Sequence, residues 1–205
     1  ECCREFDIKG LIYASSSSVY GGNEKTPFSE TDNVDNPISI YAASKKSNEL
    51  MANVYNQLYD LNSTGLRFFT VYGPWGRPDM AYFNFTKKIL NNEIIEVYDF
   101  GKVERDFTYI DDIVYGIKSA MIKNYPNEIF NLGNSKKEKV LYLVQCLENK
   151  LGKKAKIKLK PIKAGDVKST NADIDKSKNM LGYNPRINLD EGLSMFIDWL
   201  SLIHI

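Results

Sequence analysis

Cysteine is scarce and histidine nearly missing: the 205 residues include Cys2, Cys3, Cys146 and one histidine, His204. An odd cysteine count with one adjacent pair is not a disulfide framework. Reduced thiols in a cytoplasmic protein are the expectation. Without a Cys/His set at ligand spacing, no metal site is expected. The sequence shows no signal peptide and no apolar run long enough to span a bilayer. It also lacks an excess of either charge, with 27 Lys+Arg against 26 Asp+Glu. No global field therefore favours nucleic acid or an anionic membrane, although a local cationic pocket for one phosphorylated ligand is compatible with that balance. The lysine-rich run from Lys150 to Lys163 contains no aromatic residue and reads as a solvated face, not an RNA site.

The sequence does contain material for a core. Hydrophobic residues make up 43% and charged residues 26%, an ordinary globular balance. The opening Glu1-Cys-Cys-Arg-Glu-Phe6 reads as the tail of a helix running into a strand, without an initiating methionine, which suggests a missing N-terminal part. The closing Leu200-Ser-Leu-Ile-His-Ile205 could end a packed helix or be foreign to the gene.

Gly10 to Ser15 is a short apolar run typical of a buried parallel strand. The small polar residues from Ser15 to Gly22 form a loop at its C-terminal end, the edge where open α/β sheets bind ligands. Asn23 to Ser39, with Pro27 and Pro37, looks like an extended surface connection. A helix follows over Tyr41–Tyr59, with Ala43, Leu50, Met51, Val54 and Leu58 at helical spacing and Ser39 as its N-cap. Thr64–Tyr72 reads as one strand, and Asp79 as the cap of a helix over Met80–Leu90. Ile94–Tyr98 is a short strand. Arg105–Asp112 leads through another strand into a helix ending near Lys123, and Glu128–Leu132 is a further strand. Glu138–Leu151 is helical and stopped by Gly152. A strand over Lys156–Lys160 and helices over Asp175–Leu181 and Asp190–Leu202 complete an alternating α/β pattern.

Tyr41 and Lys45 share one helix face, one turn apart. Tyrosine, with a reference pKa of about 10, is a poor base at neutral pH. A neighbouring ammonium favours the phenolate, which makes a general base for a hydroxyl proton. The spacing alone is common by chance. Its setting is not: the pair follows a strand and the loop Ser15-Ser-Ser-Ser-Val-Tyr-Gly21.

With this combination the chain resembles the extended short-chain dehydrogenase/reductase family. Leu66-Arg-Phe-Phe-Thr-Val-Tyr-Gly-Pro74, Arg105-Asp-Phe-Thr-Tyr-Ile-Asp-Asp112 and Asn131-Leu-Gly133 agree, so the likeness runs from Ile8 to about Trp199. Within the family, the segment from Gly65 to Met80 is most similar to UDP-glucuronate 4-epimerases. The implied fold is the C-terminal part of a Rossmann-like doubly wound parallel sheet plus a small α/β substrate-binding lobe. Residues 1–73 and 106–134 would belong to the NAD-binding domain, and 74–105 and 135–205 to the lobe.

The resemblance also implies a chemistry. Tyr41 takes the proton of the sugar 4-hydroxyl, NAD accepts hydride from C4, and the 4-keto sugar turns over before both return. Ser16 relays the proton, and Lys45, with Tyr41, contacts the nicotinamide ribose. Related 4,6-dehydratases carry Asp-Glu where Ser17 and Ser18 stand, and the decarboxylases commonly carry Glu at the Ser18 position, so this sequence argues against both. Oxidising C4 of a hexuronate creates a β-keto acid, which loses CO2 when the breaking bond aligns with the carbonyl π system. An epimerase must hold the carboxylate out of that alignment. By resemblance Ser17, Ser18 and Thr70 are the donors that do so, and Arg77 helps order the pocket. Arg105 matches an arginine that contacts the UDP diphosphate, and Asp166, after Gly165, an acid that binds the uridine ribose.

The family's Gly-x-x-Gly-x-x-Gly phosphate turn is nowhere in the sequence. The expectation is an active full-length enzyme, by the resemblance a homodimer paired through the helix that carries Tyr41 and a neighbouring one, and an inactive fragment. A UDP-glucose 4-epimerase, a UDP-glucuronate decarboxylase and a non-catalytic nucleotide-sugar-binding relic are the alternatives.

Overall fold

Strands and amphipathic helices alternate through a mixed α/β chain in the computed structural model, which describes residues 1–162 and 166–204. Helix α1 (Cys2–Glu5) leads into β1 (Leu11–Ser16), a 3-10 turn (Ser17–Tyr20) and, after a long loop, α2 (Ile40–Tyr59). Next come β2 (Ser63–Phe68), β3 (Thr70–Tyr72), α3 (Ala81–Leu90), β4 (Ile94–Val97), β5 (Glu104–Tyr109) and α4 (Ile110–Lys123). The remainder is β6 (Asn127–Leu132), β7 (Lys137–Lys139), α5 (Val140–Leu151), β8 (Lys156–Leu159), α6 (Asp175–Leu181) and α7 (Leu189–His204).

β1, β2 and β6 lie side by side in that order, all parallel. Side chains alternate between the faces of such a sheet. The odd-numbered Ser15 and Arg67 reach α2 through Glu49. The even-numbered Leu66, Phe130 and Leu132 pack with Ile113 and Ala120 of α4. Helices thus cover both faces. Gly116 permits the α4 contact, because a Cβ there would stand 2.7 Å from Leu132 Cδ1. A second sheet runs β3-β5-β7, with β7 antiparallel, and β4 and β8 form a parallel pair. The second sheet, α3, α5 and α7 enclose their own apolar cluster around Tyr72, Tyr82, Phe107, Leu143 and Phe196.

Four sequence expectations are corrected. Thr64–Tyr72 is not one strand: it breaks at Phe69, whose N–H still bonds Leu132 O at 3.1 Å, while Thr70 pairs with Phe107 in the second sheet. The chain changes neighbours because β6 ends at Leu132. Asp79 does not cap α3; Met80 holds that position without a side-chain bond, and both Asp79 oxygens accept from Arg77. The helix expected from Glu138 begins at Val140, since Lys137–Lys139 is used as a strand against β5. The Asn23–Ser39 connection is not wholly superficial: Phe28 and Val34 are buried in the first core, and Phe28 exchanges backbone bonds with Asn171 and Asp173.

Ser39 does cap α2, accepting from the Ala42 N–H at 3.1 Å, and Gly152 ends α5 in the left-handed conformation. On α2, however, Leu50, Met51, Val54 and Leu58 are exposed, whereas the buried positions are Ala42, Glu49 and Ala52. All three cysteines are free. Among the described residues there is no His/Cys/Asp/Glu group that could hold a metal ion. None of the described helices is long and apolar enough to cross a membrane.

Candidate active site

The C-terminal end of β1 delivers Ser16 to the sheet edge, and the loop that follows is tightly wound. Ser16 Oγ accepts the Ser18 N–H at 3.1 Å, capping the 3-10 turn. Gly21 closes that turn at φ 58°, and a Cβ there would lie 2.4 Å from the Asn36 carbonyl oxygen. Ser17 and Ser18 are thereby held in the lining of a cavity of about 470 Å³.

That cavity gathers eight of the nine residues selected from sequence: Ser16, Ser17, Ser18, Tyr41, Thr70, Arg77, Arg105 and Asp166. They come from β1, the 3-10 turn, α2, β3, β5 and two loops. The ninth, Lys45, stands behind Tyr41. Its Nζ donates to the Ala14 carbonyl at 3.0 Å and lies 5.6 Å from the centre of the Tyr41 ring. Tyr41 is half exposed toward the cavity, at 54%. The Ser18 hydroxyl is buried and has no hydrogen-bond partner. Thr70 enters because of the strand switch at Phe69.

The charged residues divide into two pairs. Arg105 is largely buried, and its Nη2 donates to Asp166 Oδ1 at 2.6 Å. Burial pulls the Arg105 pKa below its ordinary value, against the opposing pull of Asp166. Arg77 is exposed at the rim and grips Asp79 with two bonds, at 3.1 and 2.6 Å. That contact holds the Asp79 carboxyl below its usual value. Gly165 lies outside the described residues.

Thr70, Met80, Arg105 and Asp166 also line an adjoining slot of about 240 Å³, whose other walls include Tyr82, Phe85, Val97, Tyr98 and Phe107. Sequence reasoning missed these apolar residues. Apart from Phe107, which lies in the Arg105–Asp112 segment, they belong to no motif, and Tyr82 and Phe85 on α3 and Val97 on β4 are spaced as ordinary core positions. A larger space of about 640 Å³ lies on the α4 face of the first sheet, lined by residues such as Ile12, Ala14, Phe68 and Ile117. It contains none of the nine.

A doubly wound sheet with a Tyr/Lys helix beside a serine loop at its strand ends defines a class. The family description "NAD dependent epimerase/dehydratase family" matches residues 1–133, and the chain belongs to that family. It is 58% identical over 199 residues to an uncharacterized protein of Methanocaldococcus jannaschii, covering 97% of this chain and 61% of that protein. It is 50% identical over 206 residues to UDP-glucuronate 4-epimerase 5 of Arabidopsis thaliana, covering 92% of this chain and 47% of the relative. Among solved structures, UDP-glucuronic acid 4-epimerase from Bacillus cereus in complex with UDP-glucuronic acid and NAD superposes with a TM-score of 0.92 at 34% identity. That match covers 98% of this chain and 64% of the neighbour. The chain thus spans about half to two thirds of the length of these proteins.

Proposed function

We propose that the protein to which this chain belongs is an NAD-dependent epimerase that interconverts UDP-glucuronate and UDP-galacturonate. The observation that carries this reading is the cavity that joins Tyr41 and Ser16 to three uncharged donors, Ser17, Ser18 and Thr70. The likeness to UDP-glucuronate 4-epimerases supports it. Bound NAD would supply the hydride acceptor and donor for C4. Tyr41 and Lys45 suit its nicotinamide ribose: the ammonium uses one of its three donors on Ala14 and keeps two. The glycine turn for the cofactor's diphosphate is not among these 205 residues.

Tyr41 removes the proton of the 4-hydroxyl and later returns it, with Ser16 bonded to the reacting oxygen. The orphan Ser18 hydroxyl, with Ser17 and Thr70, binds the hexuronate carboxylate. These hydroxyls restrain it without supplying an acid, so the 4-keto sugar keeps its CO2. Arg105 offers its planar fork to the diphosphate. Asp166 takes the uridine ribose, and the adjoining apolar slot takes the base. Arg77 orders the rim.

Residues 1–73 and 106–134 form the NAD-binding part and 74–105 and 135–205 the sugar lobe in this reading. The two apolar clusters follow that division only in part: Tyr72, Phe107 and Tyr109 pack with the lobe cluster, and α6 and Tyr183 pack with the first. The exposed Leu50, Met51 and Val54 of α2 suit pairing with a second copy in the cytoplasm. Incubating the full-length protein and NAD with UDP-glucuronate, followed by mass and NMR analysis, tests the reading. A C4 epimer of unchanged mass is expected. Loss of CO2, or a strong preference for UDP-glucose, would overturn it.

A further inference from the structure

One residue back along the strands from Ser16 lies a buried polar row. Ser15, Arg67 and Asn131 are register partners across β1, β2 and β6, and none is more than 2% exposed. Glu49 enters this row from α2 and is itself 4% exposed. Its Oε1 accepts from Ser15 Oγ at 2.6 Å and from Arg67 Nε at 2.8 Å, and its Oε2 accepts from Arg67 Nη2 at 2.9 Å. The remaining face of the guanidinium is occupied too. Arg67 Nη1 donates to the Tyr20 hydroxyl at 3.0 Å, and that hydroxyl donates to Asn131 Oδ1 at 2.7 Å.

Stability does not account for such an arrangement. Burying two ions is costly, and well-packed apolar replacements of a buried pair are often neutral or stabilising. Geometry accounts for it better. Ser15 opens and Tyr20 closes the segment that carries Ser16, Ser17 and Ser18, so both ends of the serine loop are tied to one ion pair. Glu49 lies one helical turn beyond Lys45 and two beyond Tyr41, on the same stripe of α2. The bidentate Arg–carboxylate contact also fixes orientation as well as distance.

We infer that the Glu49–Arg67 pair is a positioning element, which sets the serine loop and the Tyr41–Lys45 helix in register with each other. The inference rests on the epimerase reading for its kinetic consequence. A misplacement near 1 Å costs about 10²-fold in turnover, which is the scale expected when the register is lost.

The test uses the full-length protein and compares Glu49→Gln, Arg67→Met, the double variant Glu49→Leu/Arg67→Met, and Ser15→Ala. Each single charge deletion lowers thermal stability, because it strands a buried ion. The double variant regains that stability, yet its kcat stays down by about 10²-fold with KM within about threefold. Ser15→Ala, which leaves the ion pair intact, lowers kcat about tenfold and serves if the double variant does not fold. Hydrogen exchange gives a reading independent of activity: amides of residues 16–20 and 41–45 exchange faster in the variants. Wild-type kcat and unchanged protection in the double variant, or in Ser15→Ala, would overturn the inference. A wild type that does not epimerise UDP-glucuronate defeats the proposed function instead, and the exchange measurement then decides the positioning role alone.

Discussion

Ser16 and Ser18 share a turn but not a state of satisfaction. Ser16 Oγ accepts the Ser18 N–H at 3.1 Å, whereas the Ser18 hydroxyl is buried without a partner. An unmade buried hydrogen bond costs roughly 1–3 kcal/mol, and a ligand oxygen in the cavity removes that cost. Ser18→Ala is therefore expected to leave stability unchanged or slightly higher and to raise KM for UDP-glucuronate about tenfold. Thermal melts and initial rates on the full-length protein check both halves. A rise in KM for UDP-glucose of the same size would show that Ser18 does not read the carboxylate.

Tyr41→Phe keeps the ring and its place on α2 and removes the proton acceptor. UDP binding by calorimetry should stay within about threefold, while turnover falls by about 10²- to 10⁴-fold, the usual worth of a positioned acid–base group. Near-normal turnover would mean that the base is another residue.

Arg105 is assigned to the diphosphate, so Arg105→Ala should weaken UDP about 10- to 100-fold, as losing charged hydrogen bonds of about 1.5–3 kcal/mol implies. Arg77→Ala, by contrast, breaks an exposed, solvent-screened pair with Asp79 and should leave thermal stability nearly unchanged. Equal losses of UDP affinity in both variants would contradict the division of labour between the two arginines.

Asp106 offers a pH test. Its carboxylate accepts the Asn134, Ser135 and Ala172 N–H groups at 2.6, 3.0 and 3.0 Å, and the Thr108 hydroxyl at 3.1 Å. Burial nevertheless raises its pKa from 3.8 to about 6, outweighing those donors. Between these values the folded protein keeps a proton that the unfolded chain has released. The stability contributed by this group is therefore fully present below 3.8 and lost as pH rises through about 6. Urea melts across that window should show wild-type stability falling relative to Asp106→Asn. At pH 7 the amide, with an NH2 facing a backbone N–H, should itself cost about 2 kcal/mol or more. Parallel pH profiles would refute the shift.

Much was legible locally. The 3.6-residue period marked α2, the apolar run marked β1, and Ser39 and Gly152 marked helix ends, because these features depend on neighbours a few residues apart. The Tyr41–Lys45 spacing was local too, one turn of helix, but it and the roles of Ser16, Ser17 and Ser18 drew their meaning from the family resemblance. What the tertiary structure decided involves distant partners. The break at Phe69 depends on where β6 ends, at the distant Leu132, and it moves Thr70 into pairing with Phe107. Asp79 could be read as a cap until Arg77 claimed it. Most telling is α2, where apolar Leu50 and Met51 face outward and charged Glu49 is buried. Hydrophobic pattern ranks side chains by their own cost of leaving water. Glu49 can be buried because Arg67 and Ser15, brought beside it by the sheet register, satisfy its carboxylate, and no window of sequence contains all three.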